Sequence, residues 1–444
     1  MYSAKIGSCL KKEKISSGDK VKITQKGGKE YEGILMPRPD FGGSKDNIIL
    51  KLKSGYNIGI KFSNGMKIKK SGKGAELEAF PSLKFSSDKN LPKISLVATG
   101  GTISSRVSYE TGGVKWLMDA GQLFFLAPEL QKIAVFRKIE KPFLMASENM
   151  SHEHWQKLAE TCARLLNEGD EGVVVTHGTD TLHYTSAALS FMLKNLTKPV
   201  VLTYSQRSTD RGSTDTPMNL VCAAKVAATS EIAEVVLVGH GESGDTFCLA
   251  NRGTKVRKMH TSVRHTFRPV NDVPVAKIWP DGNTEYLGEH KKRAEGKVIA
   301  DTKFEEKVAL IKYCPGANPE MIDFLREKKY RGIVIEATGL GHVATDESRK
   351  SWLPAIKRAI NSGMLVCAAA QTLYGRLDPL VYGEGRKVLS LGVVYLKDML
   401  PETAYVKLGW VLGHTKDTKE AEKMMLANYA GEITGRTGTQ TFLY

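Results

Sequence analysis

Apolar residues in the first 70 positions come in short runs broken by turn-forming pairs. Lys20–Thr24, Glu30–Leu35, Asn47–Leu52, Gly59–Phe62 and Met66–Lys69 read as strands, separated by Gly27-Gly28, Gly42-Gly43, Ser54-Gly55 and Asn64-Gly65. Asn64-Gly65 is the strongest hairpin signal, because a type I′ turn needs positive φ at both central positions. Short strands with close turns over this length predict a small β-barrel-like domain. Residues 71–92 hold two prolines and no sustained period, and read as a linker.

The pattern then changes. ISLVA at 94–98, GVVVT at 172–176, VVLT at 200–203 and VVLV at 235–238 are apolar, β-branched runs, each followed by a polar loop with Gly or Ser. Helical stretches alternate with them. Ser151 can cap a helix over 152–167 whose stripe holds Trp155, Leu158, Cys162, Leu165 and Leu166; Thr181–Lys194 and Pro217–Thr229 follow. Buried strands alternating with helices predict an α/β fold with a mostly parallel sheet. Residues 271–305 are polar and read as an interdomain connection. The same rhythm restarts at 309–313, 332–336 and 364–368, with helices near 318–328 and 351–361. The expected order is a small basic domain (1–75), a linker (76–92), a large α/β domain (93–273), a connection (274–305), a smaller α/β domain (306–425) and a tail (426–444).

Composition narrows the class. The chain has 444 residues, 41% hydrophobic and 25% charged, which excludes wholesale disorder and coiled coil. No stretch reaches the roughly 18–20 apolar residues of a bilayer crossing, and the basic N-terminus has no apolar signal core. Six cysteines without a CxxC argue against a disulfide scaffold or structural zinc and fit a reducing, cytoplasmic setting. Cys162, Cys222 and Cys367 lie in apolar surroundings and read as inert core thiols. The formal net charge is +16. Residues 1–90 carry 18 Lys and 1 Arg against 9 acids, a net of +10, so more than half of the excess sits in a fifth of the chain. Such a field suits an acidic partner, with nucleic acid first among them, or serves as a solvated face.

Two strand-end loops carry candidate chemistry. Strand 94–98 runs into Thr99-Gly100-Gly101-Thr102-Ile103, and strand 172–176 into His177-Gly178-Thr179-Asp180-Thr181. Open α/β sheets place their sites outside strand carboxyl ends. Taken alone, the first loop is a tight turn and the second a helix cap. Together they supply hydroxyl nucleophiles, a carboxylate and backbone donors, a set that suits acyl transfer. The first of these loops is not a Rossmann GxGxxG and carries no Walker Lys-Ser/Thr, so no nucleotide cofactor is expected in this chain. His152 and His154 are two apart on a helix, and His260 and His265 lack metal spacing, so no metal is expected. His177 reads as a loop-shaping residue and not as a base.

TGGTI and HGTDT, with the later RGTKV, resemble the bacterial-type L-asparaginases and glutaminases over roughly residues 92–425. The basic barrel, the SGYNIGI stretch at 54–60 and the linker resemble the archaeal tRNA-dependent amidotransferase branch of that family. The resemblance implies a two-domain asparaginase-like core in which Thr102 is the nucleophile and Tyr109, in SYETGG, the tyrosine that activates it. It implies that Thr179, Asp180 and Lys255 form the group that polarises a hydroxyl or water. It places Ser147 and Glu148, in ASENM, at the substrate α-carboxylate and α-amine, a site that Asp180 shares. Glu148 stands where free-standing asparaginases often carry Gln.

The implied function is a glutaminase-type subunit that releases ammonia from glutamine through a threonyl acyl-enzyme. A partner subunit of the E type would use ATP and Mg2+ to convert Glu-tRNA(Gln) to Gln-tRNA(Gln) with that ammonia. The implied assembly is a homodimer carrying two such partners. The alternative is a free-standing cytosolic L-asparaginase, against which the basic N-terminal 70 residues weigh.

Overall fold

In strand β1 (Lys20–Thr24) Val21 and Ile23 are fully buried while Lys20 and Lys22 face water, the alternation of a sheet with one wet face. Strands β2 (Glu30–Leu35), β3 (Asn47–Lys51), β4 (Asn57–Lys61) and β5 (Lys67–Gly72) join it in an antiparallel sheet of order β4-β3-β2-β1-β5. The computed structural model describes residues 2–38, 44–72, 88, 90–107, 114–116, 126–209 and 211–443. A helix, Ala4–Lys12, adds Ile6 and Leu10 to the core of this sheet. The sequence pattern predicts nothing there: one apolar pair four apart in nine residues is too little periodicity to register, and the helix exists because the sheet needs a cover.

Asn64-Gly65 does not make the expected hairpin. Only Gly65 has positive φ (+87°), so a type I′ turn is excluded. The strands it joins lie at opposite edges of the sheet: β4 pairs with β3, and β5 crosses over to pair with β1.

Strand β6 (Lys93–Ala98) opens the second unit and is followed by the short antiparallel pair β7 (Ser105–Val107) and β8 (Val114–Trp116). Strands β9 (Val135–Glu140) and β10 (Gly172–Thr176) come next. The two-residue β11 (Leu193–Lys194) precedes β12 (Val200–Thr203), β13 (Val235–His240) and β14 (Cys248–Arg252). A separate hairpin, β15 (Val256–Lys258) and β16 (Phe267–Pro269), leads to β17 (Ala276–Ile278), β18 (Thr284–Tyr286) and β19 (Ile299–Ala300), the last pairing with β11. The large sheet has the order β18-β17-β14-β13-β12-β10-β6-β9, parallel from β9 to β13 and antiparallel beyond. Every residue of β10 and β12 is buried, as strands covered on both faces must be. Residues 276–278 and 284–286, expected in a connection, are the last two strands at one side of this sheet, with β18 at its edge; three-residue strands are too short to show a period.

A second parallel sheet holds β20 (Val308–Lys312), β21 (Gly332–Ala337), β22 (Leu365–Ala370) and β23 (Val394–Tyr395) in chain order. The helix Pro401–His414 lies between the two units. Its Trp410 stacks on Phe191 of the helix Leu182–Met192 with ring centres 6.0 Å apart. One apolar core accordingly runs through both units, from Val175 and Leu202 to Val334 and Cys367.

Candidate functional site

Strands β6 and β10 run parallel with Ala98 beside Thr176, so the loops leaving their carboxyl ends start side by side. The other neighbour of β6 is β9, so chain order reverses here, and ligands of open α/β sheets bind at such a reversal. Gly100 and Gly101 turn the first loop with φ of +112° and +80°. A methyl on Gly101 would lie 2.4 Å from the Gly178 nitrogen, and one on Gly100 2.3 Å from the Met145 carbonyl oxygen. Glycine alone permits that approach. Thr99 donates through its nitrogen (3.1 Å) and its hydroxyl (2.9 Å) to the Thr176 carbonyl. Thr102 follows at the start of a 3-10 turn, Thr102–Ser104, and is half-buried.

The second loop is held from below by His177. This ring is fully buried, with Nδ1 2.7 Å from the Gly178 carbonyl and Nε2 2.9 Å from the Thr185 hydroxyl. Burial pushes its pKa down to about 4, so the ring is neutral near pH 7 and engaged at both nitrogens. Gly178 presses on Ser147, whose side chain would meet a methyl there at 2.9 Å. Thr181 donates to the Ser147 carbonyl (2.7 Å), and its amide points to Ser147 Oγ (3.4 Å). Thr181 therefore makes no side-chain cap on the helix Leu182–Met192, although it stands at the capping position. Ser147 is buried by these contacts, and Glu148 beside it is exposed. Tyr109 lies outside the described residues.

The β15/β16 hairpin brings the lysine. Lys258 Nζ donates to Thr179 Oγ1 and to Asp180 Oδ1, each at 2.8 Å. The lysine side chain is 13% exposed and the aspartate 63%, so the pair stands at the mouth of a cleft. That cleft, of about 240 Å³, is lined by Asp180, Lys258, Met259, His260 and Thr261.

The lysine assigned from sequence needs correction. Lys255 is fully buried, and its Nζ donates to the Asp398 carboxylate (2.7 Å) and carbonyl (3.0 Å). Burial lowers its pKa, opposed by Asp398. RGTKVRK holds four cations in seven residues, and nothing in the string says which one the hairpin turns toward the cleft. An alternating strand reading would have separated 255 from 258 onto different faces, but a three-residue strand does not announce itself.

Among the described residues no three His, Cys, Asp or Glu side chains are grouped to hold a metal ion. Nor is any helix of the described residues long and apolar enough to cross a membrane. Cys162, Cys222 and Cys367 are buried, and burial pushes the Cys162 thiol up to about 12. What the arrangement offers is a hydroxyl, a cation and a carboxylate in one hydrogen-bonded chain, facing a second loop that presents Thr102.

Residues 93–292 match the family "Asparaginase, N-terminal", residues 307–425 the "Glutaminase/Asparaginase C-terminal domain", and residues 15–70 the "GatD N-terminal domain". The D-type subunit of the glutamyl-tRNA(Gln) amidotransferase of Pyrococcus furiosus is 52% identical over 442 residues, 98% of each chain. That of Thermococcus kodakarensis is 49% identical over 445 residues, 99% of each chain. Among solved structures, the thermostable L-asparaginase from Thermococcus kodakarensis aligns with a TM-score of 0.68 at 32% identity, over 78% of this chain and all of that one. L-asparaginase I from Vibrio cholerae gives 0.67 at 28%, over 78% of this chain and 99% of that one. The asparaginase-like part is thus joined to an N-terminal domain that these relatives of full length share, and the chain belongs to the family of D-type glutamyl-tRNA(Gln) amidotransferase subunits, within the asparaginases and glutaminases.

Proposed function

We propose that this chain is the glutaminase subunit of a tRNA-dependent amidotransferase of archaeal type. The observation that carries the reading is the Lys258–Thr179–Asp180 cluster at the reversal point of the large sheet, beside the Thr102 loop. Thr102 Oγ attacks the side-chain amide carbon of glutamine, and its proton passes to the departing nitrogen, which leaves as ammonia. Water then attacks the acyl-threonine. Thr179 and Lys258 relay its proton, and glutamate departs as the Thr102 hydroxyl is restored. Asp180 takes the substrate α-ammonium, with Ser147 and Glu148 at the other α-substituents, and Tyr109 activates Thr102. The neutral, doubly engaged His177 supports the loop.

The ammonia goes to a partner subunit of the E type, which uses ATP and Mg2+ to amidate Glu-tRNA(Gln). Two copies of each subunit form the assembly, working in the cytoplasm. Near-complete coverage of the amidotransferase relatives, N-terminal domain included, supports this over a free-standing asparaginase.

Replacing Thr102 with Ala tests the reading. Amide hydrolysis should vanish with the fold intact, and ammonia in solution should restore tRNA amidation by the complex. Retention of more than about a tenth of turnover would overturn the nucleophile. Full amidase activity on asparagine, with no co-purifying partner or tRNA, would favour the asparaginase alternative.

A further inference from the structure

Lys258 sits on a hairpin that is not part of the large sheet. β15 and β16 form their own two-stranded sheet of three residues each, and such hairpins are marginal by themselves. The hairpin tip and β16 lean on the large unit, with Phe267 against Tyr204 (ring centres 4.6 Å apart) and the Tyr204 hydroxyl donating to the Arg264 carbonyl (2.8 Å). The polar side-chain contacts of residues 254, 255 and 257 are instead directed at the second unit and the C-terminal tail. The Thr254 carbonyl accepts from the Thr403 hydroxyl (2.8 Å), and its own hydroxyl donates to the Ala430 carbonyl (2.9 Å). Lys255 reaches Asp398, and Arg257 pairs with the buried Glu402 at 3.0 Å.

Asp398 is tied in turn. Its carboxylate accepts from the Thr434 nitrogen (3.1 Å) and hydroxyl (2.5 Å), and its carbonyl from Asn271 Nδ2 (3.1 Å). Asn271 lies just past β16, and Val270 donates to the Lys255 carbonyl at 2.7 Å, so both strands of the hairpin converge on Asp398.

Resting on the function proposed above, we propose that the Lys255–Asp398 pair, braced by Arg257–Glu402, is a positioning device that sets Lys258 against Thr179 and Asp180. An ion pair with side chains 0% and 1% exposed is a costly way to gain stability, because desolvation cancels most of the attraction. Its best-attested use is to select one register, and here the register fixes where a side chain three residues on emerges. Misplacement of a reacting group by about 1 Å can cost a hundredfold in rate. The strap also makes the placement of Lys258 depend on the seat of the second unit and of Thr434.

The test uses the full chain with its amidotransferase partner and Glu-tRNA(Gln), with glutamine as substrate. Lys255→Met and Asp398→Asn are compared with Asp170→Asn. Asp170 is an equally buried carboxylate that pairs with Arg137 near the start of β10, at the far end of the sheet. At matched loss of Tm, the first two should lower kcat tenfold or more with KM within about threefold, while Asp170→Asn keeps kcat. Arg257→Met, at a partly exposed site, should show the same split more weakly, and serves if the buried variants do not fold. A kcat loss no greater than that of Asp170→Asn would overturn the positioning role. Wild-type chain without glutaminase activity under the same conditions would instead count against the proposed function, which separates the two failures.

Discussion

Lys258→Met separates the lysine proposed to take part in the chemistry from the one proposed to position it. The perturbation removes two charge-assisted hydrogen bonds, to Thr179 Oγ1 and Asp180 Oδ1, and keeps most of the side-chain length. In the resting protein the aspartate is 63% exposed, so water replaces the lost partner and the fold should lose no more than about 1 kcal/mol. The transition state is different, because in the proposed hydrolysis a proton leaves the attacking water through Thr179, and Lys258 is the cation that holds the Thr179 hydroxyl, at 2.8 Å. A positioned acid–base group contributes roughly 10²–10⁴ in rate, or about 3–5 kcal/mol. Lys255→Met should have the opposite balance in stability, since it takes the buried cation from Asp398 and leaves that carboxylate with Thr434 and, at 3.5 Å, Arg376, a larger loss than at the exposed Asp180. Steady-state ammonia release from glutamine, measured with thermal melts on the same samples, checks both. Lys258→Met with more than about a tenth of wild-type kcat, or with a Tm loss as large as that of Lys255→Met, would refute the reasoning.

Asp180→Asn should raise KM for glutamine about tenfold, because the substrate ammonium loses its counter-ion, and should lower kcat as well; an unchanged KM would remove Asp180 from substrate binding. Acid should destabilise the fold through His177. Its folded pKa of about 4 lies below the unfolded value of 6.5, so its contribution, on the order of 3 kcal/mol, is present above pH 6.5 and is lost as pH falls through 4. His177→Gln should flatten that part of a Tm-against-pH curve; an unaltered slope would contradict the assignment. The isolated chain should show low glutaminase activity that rises ten- to a hundredfold when partner and Glu-tRNA(Gln) are added together, equivalent to about 2–3 kcal/mol of constraint. Full activity of the chain alone would defeat that gating. If the basic N-terminal domain holds tRNA phosphates, the rise should also weaken steeply with salt.

Much of this protein was settled by local pattern. Strands β6 and β10 are uninterrupted β-branched runs, and a run buried on both faces reads the same whatever surrounds it. Their terminal loops stand out because Gly-Gly and Thr-Asp-Thr are unusual at such ends, so Thr102, Thr179 and Asp180 were legible as candidates. β1 and β2 were equally plain, since each alternates within its own five or six residues. Tertiary structure alone decided what depends on a distant partner. The helix Ala4–Lys12 needs a sheet to lie on, β5 pairs across to β1 and not with the strand before it, and β17 and β18 are too short to exist away from β14. The choice of lysine belongs to this second kind. Lys255 and Lys258 share one short basic string, and their roles part because Asp398, 143 residues beyond Lys255, is folded against one while Asp180, 78 residues before Lys258, is folded against the other. A buried cation goes where a carboxylate awaits it, and only the folded chain sets the place of that carboxylate.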